Sequence, residues 1–115
     1  MTRFWLVCAG GAIGSGGRYL VALAAASWFG SRFPFGTIIV NIVGSFFIGL
    51  AMQALPVSDL RLFLTTGVLG GFTTYSAFNN DTLQMPIGMA AVNVVATFTG
   101  CLIAGLLGMW VGGRR

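Results

Sequence analysis

Four apolar stretches fill nearly the whole chain, and this one feature narrows what it can fold into. They run over residues 4–29, 37–55, 62–83 and 87–111. A helix needs about 20 mainly apolar residues to cross the hydrocarbon core of a bilayer, and each stretch meets that length. The connections, centred on residues 30–36, 56–59 and 84–86, are three to seven residues long. Turns so short leave no room for an extramembrane domain. The expectation is an all-α membrane protein, a single domain over residues 1–115 with four transmembrane helices. Composition supports it. Apolar residues make up 57% and charged residues 7%, against about half and about a quarter in average soluble domains. Eight charges cannot clothe a soluble domain of 115 residues.

The same composition removes most chemistry. There is no His, no Glu and no Lys, and the only acidic residues are Asp59 and Asp81. A carboxylate pair, a triad or a side-chain metal cluster cannot be built from that set. An enzyme is not expected. The net charge of +4 comes from six arginines scattered along the chain, without the basic patch that a nucleic-acid surface needs. No nucleic-acid partner is expected. Cys8 and Cys101 lie in apolar runs, outside any CxxC pattern, and read as small packing residues. Arg3 before an apolar run and the later Ala24-Ala25-Ala26-Ser27 resemble a secretory signal, but Arg18 interrupts that pattern and no cleavage is expected. With four crossings, Arg3, Arg61, Arg114 and Arg115 share one side of the membrane, and Arg18 and Arg32 lie toward the other. Four against two is a weak orientation bias, compatible with insertion both ways up.

Residues four apart share a helix face. On the fourth stretch Asn93, Thr97, Cys101 and Gly105 form one row. Beside it Ala96, Gly100, Ala104, Gly108 and Gly112 form a small-residue ridge, which lets another helix approach closely. On the second stretch Thr37, Asn41 and Ser45 form a comparable polar row, with Gly44 beside it. Such groups can simply hydrogen-bond between helices, at about 1 kcal/mol each. Two asparagine-bearing rows in so short a chain favour a hydrophilic path. The third stretch is the unusual one. From Gly67 to Asp81 it is rich in Gly, Ser and Thr and poor in helix formers, and a break is expected near residues 70–74. Broken backbone inside hydrocarbon is tolerated only where protein buries it or a cavity solvates it. Freed carbonyls there suit a cation, and the start of the following half-helix suits an anion. Asp81, near the end of this stretch, is expected either at the interface or buried against an arginine.

Three runs carry a resemblance. They are Gly10-Gly11-Ala12-Ile13-Gly14 with Arg18-Tyr19, then Pro34 to Asn41 with Gly44, then Gly67-Val68-Leu69-Gly70-Gly71-Phe72-Thr73-Thr74-Tyr75-Ser76-Ala77-Phe78. In that order they resemble the CrcB/Fluc fluoride channel family; the fourth stretch matches in character only. The resemblance implies an antiparallel, dual-topology homodimer with two pores, exporting fluoride passively down its gradient to relieve its toxicity. It implies the plasma membrane of a prokaryote, the inner membrane in a Gram-negative cell. It also implies a structural sodium ion at the dimer interface, held by the main-chain carbonyls of Gly70 and Thr73 from each subunit. Asn41 matches the pore-lining asparagine, Tyr75 and Phe78 the paired rings beside the ion path, and Arg18 the first-helix arginine. Asp81 takes the place of an acidic residue after the ring pair, and Thr97 matches the hydroxyl track of the fourth helix. The sequence departs from the family at two places. Tyr75 stands where Phe is usual, and the turn before the fourth helix is short and uncharged.

The residues suit that ion. Fluoride is small and strongly hydrated, so a pore must replace its water with compact donors, which Asn41, Thr37, Ser76, Asn93 and Thr97 supply without fixed charge. An arginine lining the narrow path would hold the anion too tightly for release. Ring edges are positive and suit an anion in the ring plane, while Arg18 nearer the mouth raises local anion concentration. Two rival readings are weaker. A small four-helix multidrug or cation efflux transporter needs a membrane carboxylate, which helices one, two and four lack. A purely structural subunit needs no polar, glycine-rich third helix.

Overall fold

The computed structural model describes residues 1–30 and 32–113. Ser31 of the first connection, and Arg114 and Arg115 of the orientation count, lie outside the described residues. Helices account for the described fold: α1 (Thr2–Phe29), α2 (Phe35–Ala54), α3 (Asp59–Leu62), a π-helical segment π1 (Phe63–Leu69), α4 (Gly70–Phe72), α5 (Tyr75–Leu83) and α6 (Ile87–Gly112). No strand occurs among the described residues.

Local chemistry sets the ends. The first helix stops at Gly30, whose φ of 78° suits glycine, and whose N–H reaches the Ala26 carbonyl at 3.0 Å. Pro34 and Pro86 precede α2 and α6, and their carbonyls accept from Ile38 N–H at 3.1 Å and Ala90 N–H at 2.9 Å. Leu55, before Pro56, is extended and ends α2. Ser58 caps α3 by accepting the Arg61 N–H at 3.2 Å. Beside it Arg3 and Asp59 form an exposed ion pair at 3.3 Å.

Three of the helices, α1, α2 and α6, are long and apolar enough to cross a membrane. The expected third span is not one helix. Residues 59–72 are helical throughout, since Phe63, Leu69 and Gly70 keep helical dihedrals at the element joins. Thr73 and Thr74 are then extended, and α5 follows with nine residues, about 14 Å of helix and too short to cross alone. The glycines are not where helicity fails. Gly70 and Gly71 stay helical because α4 packs on α1: a Cβ at Gly71 would lie 2.6 Å from the Gly11 carbonyl oxygen. Packing overrides the poor propensity of glycine here.

The second and sixth helices form the most extensive pair. Ala104, Gly108 and Gly112 of the small-residue ridge are buried against α2, and a Cβ at Gly112 would sit 2.6 Å from the Leu50 carbonyl oxygen. Ala96, at the other end of that ridge, is exposed. The distribution of side chains inverts that of a soluble domain. Trp5, Leu23, Trp28, Val95, Leu102, Leu106 and Trp110 are exposed, whereas Asn41, Asn93 and Thr97 are buried. An apolar outside around buried amides and hydroxyls is the pattern a lipid solvent selects.

Candidate ion pathway

The two extended residues between α4 and α5 are held by one side chain. Asn41, on α2 and 8% exposed, donates from Nδ2 to the Thr74 carbonyl at 3.1 Å and accepts the Thr74 N–H on Oδ1 at 2.8 Å. A side-chain amide thus pairs with a peptide group as another peptide would. In an unbroken helix the Thr74 N–H would bond the Gly70 carbonyl four residues back; here it goes to Asn41. Similarly, the Ala77 N–H goes to Thr74 Oγ1 at 3.2 Å, which caps α5 and leaves the Thr73 carbonyl without its helical donor. The Gly71 carbonyl lies between these two and accepts from Arg18 Nε at 3.0 Å. Thr73 turns its own hydroxyl back to the Leu69 carbonyl at 3.0 Å.

Around this junction lies a cavity of about 240 Å³, lined by Asn41, Ser45, Thr73, Thr74, Tyr75, Phe78, Thr97, Phe98 and Cys101. Its hydrogen-bonding groups are amides and hydroxyls without fixed charge. Three rings border it. The Tyr75 and Phe78 centroids are 5.6 Å apart at 48°, and those of Phe78 and Phe98 are 5.6 Å apart at 36°. Phe78 is 4% exposed and Tyr75 68%, so the two rings of the pair do not have equal surroundings in the single chain.

The other expected site residues are distributed around this cavity. Thr97 is in its wall, and its hydroxyl donates to Asn93 Oδ1 at 3.4 Å. Asn93 itself is fully buried behind the wall, with Nδ2 donating to Thr82 Oγ1 at 2.9 Å. Ser76 is exposed on the first turn of α5, 3.1 Å from Thr74 Oγ1. Arg18 and Thr37 border a second cavity, of about 310 Å³, on the α1 side of Thr74. Thr37 donates to Asp81 Oδ2 at 2.9 Å, so Asp81 is anchored by a hydroxyl. Among the described residues no arginine lies within ion-pair distance of it. Arg32, Thr37 and Asp81 border a third cavity, of about 330 Å³. Gly70 is exposed. Cys8 faces outward on α1, and Cys101 is half-buried in the 240 Å³ cavity rather than in apolar packing alone.

Two participants carry no motif signal: Thr82 and Phe98. Thr74 lies in the run over residues 67–78 that carries the resemblance, but neither that run nor the expected interruption assigns it a role. Thr82 stands four residues after Phe78, which puts it on the same face of α5. Phe98 follows Thr97 directly, where an apolar residue in an apolar helix gives no cue.

An apolar exterior, three helices of membrane length and an uncharged polar interior define a multi-pass α-helical membrane protein. The family model described as "CrcB-like protein, Camphor Resistance (CrcB)" matches residues 5–112, and the chain belongs to that family. It is similar to the fluoride-specific ion channel FluC of Anaeromyxobacter sp. (strain K), with 48% identity over 127 residues covering 98% of this chain and 100% of the relative. The corresponding channel of Sorangium cellulosum (strain So ce56) is 41% identical over 125 residues, covering 99% and 97%. That of Agrobacterium fabrum (strain C58 / ATCC 33970) is 41% identical over 121 residues, covering 97% of each. The family is one of ion channels, not of enzymes.

Proposed function

We propose that this protein is a fluoride-selective channel that lets the anion leave the cell passively, down its gradient, and so relieves fluoride toxicity. The observation that carries the reading is the Asn41 clamp on Thr74. It holds an interrupted helix open beside a cavity lined by neutral polar groups and aromatic rings, in a chain 48% identical over its length to a fluoride-specific channel. Neutral donors suit conduction. They replace part of the hydration shell without a fixed charge to trap the ion.

The conducting unit in this reading is an antiparallel homodimer with two pores, inserted both ways up, in which residues 59–83 form one span interrupted at Thr73–Thr74. Each pore runs past Asn41, Ser76, Tyr75, Phe78 and Thr97, with Thr37 and Arg18 nearer its ends and Asn93 buried behind Thr97 rather than on the path. A structural sodium ion at the twofold is supported by the chemistry of the donors. The two carbonyls assigned to it, Gly70 and Thr73, are among those that lose their helical N–H partners at the interruption, here to Asn41 and to the Thr74 hydroxyl. Neutral oxygens suit a hard monovalent cation, and two from each subunit would make four. The membrane is the plasma membrane of a prokaryote.

Complementation tests this function. Cells stripped of their own fluoride export, and growth-arrested by fluoride, should grow again when this chain is expressed. Expression in the membrane without rescue would overturn it.

A further inference from the structure

Behind the wall of the 240 Å³ cavity runs a chain of hydrogen bonds with a single direction. Thr97 Oγ1 donates to Asn93 Oδ1 at 3.4 Å, Asn93 Nδ2 donates to Thr82 Oγ1 at 2.9 Å, and Thr82 Oγ1 donates to the Phe78 carbonyl at 2.7 Å. The direction is dictated by Thr82. A threonine hydroxyl has one proton, and that of Thr82 is committed to the Phe78 carbonyl. Toward Asn93 the Thr82 oxygen can therefore only accept. The Asn93 amide must turn its NH2 to Thr82 and its oxygen to Thr97. Asn93 is 0% exposed, so no solvent compensates a flipped amide. The last link, at 3.4 Å, is the longest, and lies beyond the usual range of a strong O–H···O bond.

We propose that Thr82 is a positioning residue for the anion path. By fixing the Asn93 amide it holds the Thr97 hydroxyl on a long bond to Asn93 Oδ1, and that hydroxyl exchanges the long bond for a short one to fluoride in the cavity. The strong Thr82 and Asn93 links stay intact during the exchange, so only one weak bond is given up per passing ion. The same chain anchors α6 to the last turn of α5 through the carbonyl of Phe78, whose ring borders the cavity. The proposal rests on the fluoride-channel reading.

The test is a double-mutant cycle on Thr82 and Thr97, read as fluoride efflux per assembled protein in liposomes. Wild-type efflux is measured first, and its absence would refute the channel reading itself. Thr82→Val keeps the shape and removes the hydroxyl, and should lower efflux at least tenfold. Thr82→Ser should restore it to within threefold. In a Thr97→Val background Thr82→Val should add less than twofold, because its effect passes through Thr97. If Thr82→Val does not assemble, Thr82→Ala against Thr82→Ser gives the same comparison. Efflux within threefold of wild type in the Val or Ala variant, no rescue by Ser, or independent multiplication of the two losses would each overturn the positioning role.

Discussion

Replacing Asn41 by leucine removes both bonds to Thr74 while keeping the branching and heavy-atom count of the side chain. The loss follows from the geometry. The Thr74 N–H and carbonyl, bonded at 2.8 and 3.1 Å, are left without partners on a half-buried residue. Each unsatisfied buried polar group costs about 1–3 kcal/mol, so the pair costs about 2–6 kcal/mol in the open arrangement of the interruption. Water in the adjoining cavity makes up part of this, which puts the expected value near the lower end. At 1.36 kcal/mol per tenfold, about 2 kcal/mol corresponds to roughly a thirtyfold drop in the population of the arrangement. If that arrangement conducts, fluoride efflux from liposomes should fall by about the same factor. Efflux should be measured on Asn41→Leu protein that elutes from gel filtration as the wild type does. Flux within threefold of wild type in such material would show that the clamp is not needed for conduction, and would refute the reasoning.

Further outcomes follow from the same geometry. Phe78→Ile keeps an apolar, bulky side chain but removes the ring quadrupole, and should cut efflux more than tenfold with assembly intact; Tyr75→Phe should stay within about tenfold, roughly 1.4 kcal/mol. Near-normal flux in Phe78→Ile would remove ring edges from the account. At the carbonyl pair, Thr73→Ala loses the hydroxyl bonded to Leu69 and the methyl packed over Gly44 but keeps the carbonyl, and should leave sodium dependence in place. Gly70→Val fits within its own chain, where a Cβ meets only the Thr65 carbonyl oxygen at 3.5 Å, but crowds the exposed face proposed for the twofold. It should weaken that dependence more than Thr73→Ala does; the opposite pattern would contradict the carbonyl assignment. A cysteine at position 2, with Cys8 and Cys101 replaced, should be labelled from outside in about half of the molecules, and labelling of nearly all or nearly none would exclude dual topology.

What the sequence made legible, and what it hid, divides along physical lines. Hydrophobic length and the prolines at 34, 56 and 86 locate α1, α2 and α6 to within two residues, because apolar length and missing N–H groups act locally. The apolar count starts the third span at residue 62, whereas hydrogen bonding starts it at Asp59 under the Ser58 cap, since a helix does not end where hydrocarbon does. The helix runs to Phe72 because Gly71 permits contact with Gly11, a tertiary effect that propensity cannot express. The π geometry of Phe63–Leu69 leaves no mark in composition or period. Within the site, Asn41 and Thr97 stand out by type in an apolar setting. Thr82 and Phe98 do not, because their roles arise only where α5 meets α6.

The central claim, that this chain conducts fluoride and largely excludes chloride, is tested most directly with purified protein in liposomes. Fluoride and chloride efflux are followed by electrode from matched preparations. Compact neutral donors predict fluoride efflux at least roughly a hundredfold faster than chloride, about 2.7 kcal/mol of discrimination. Comparable rates for the two anions, or no fluoride release from vesicles that contain the assembled protein, would contradict the account.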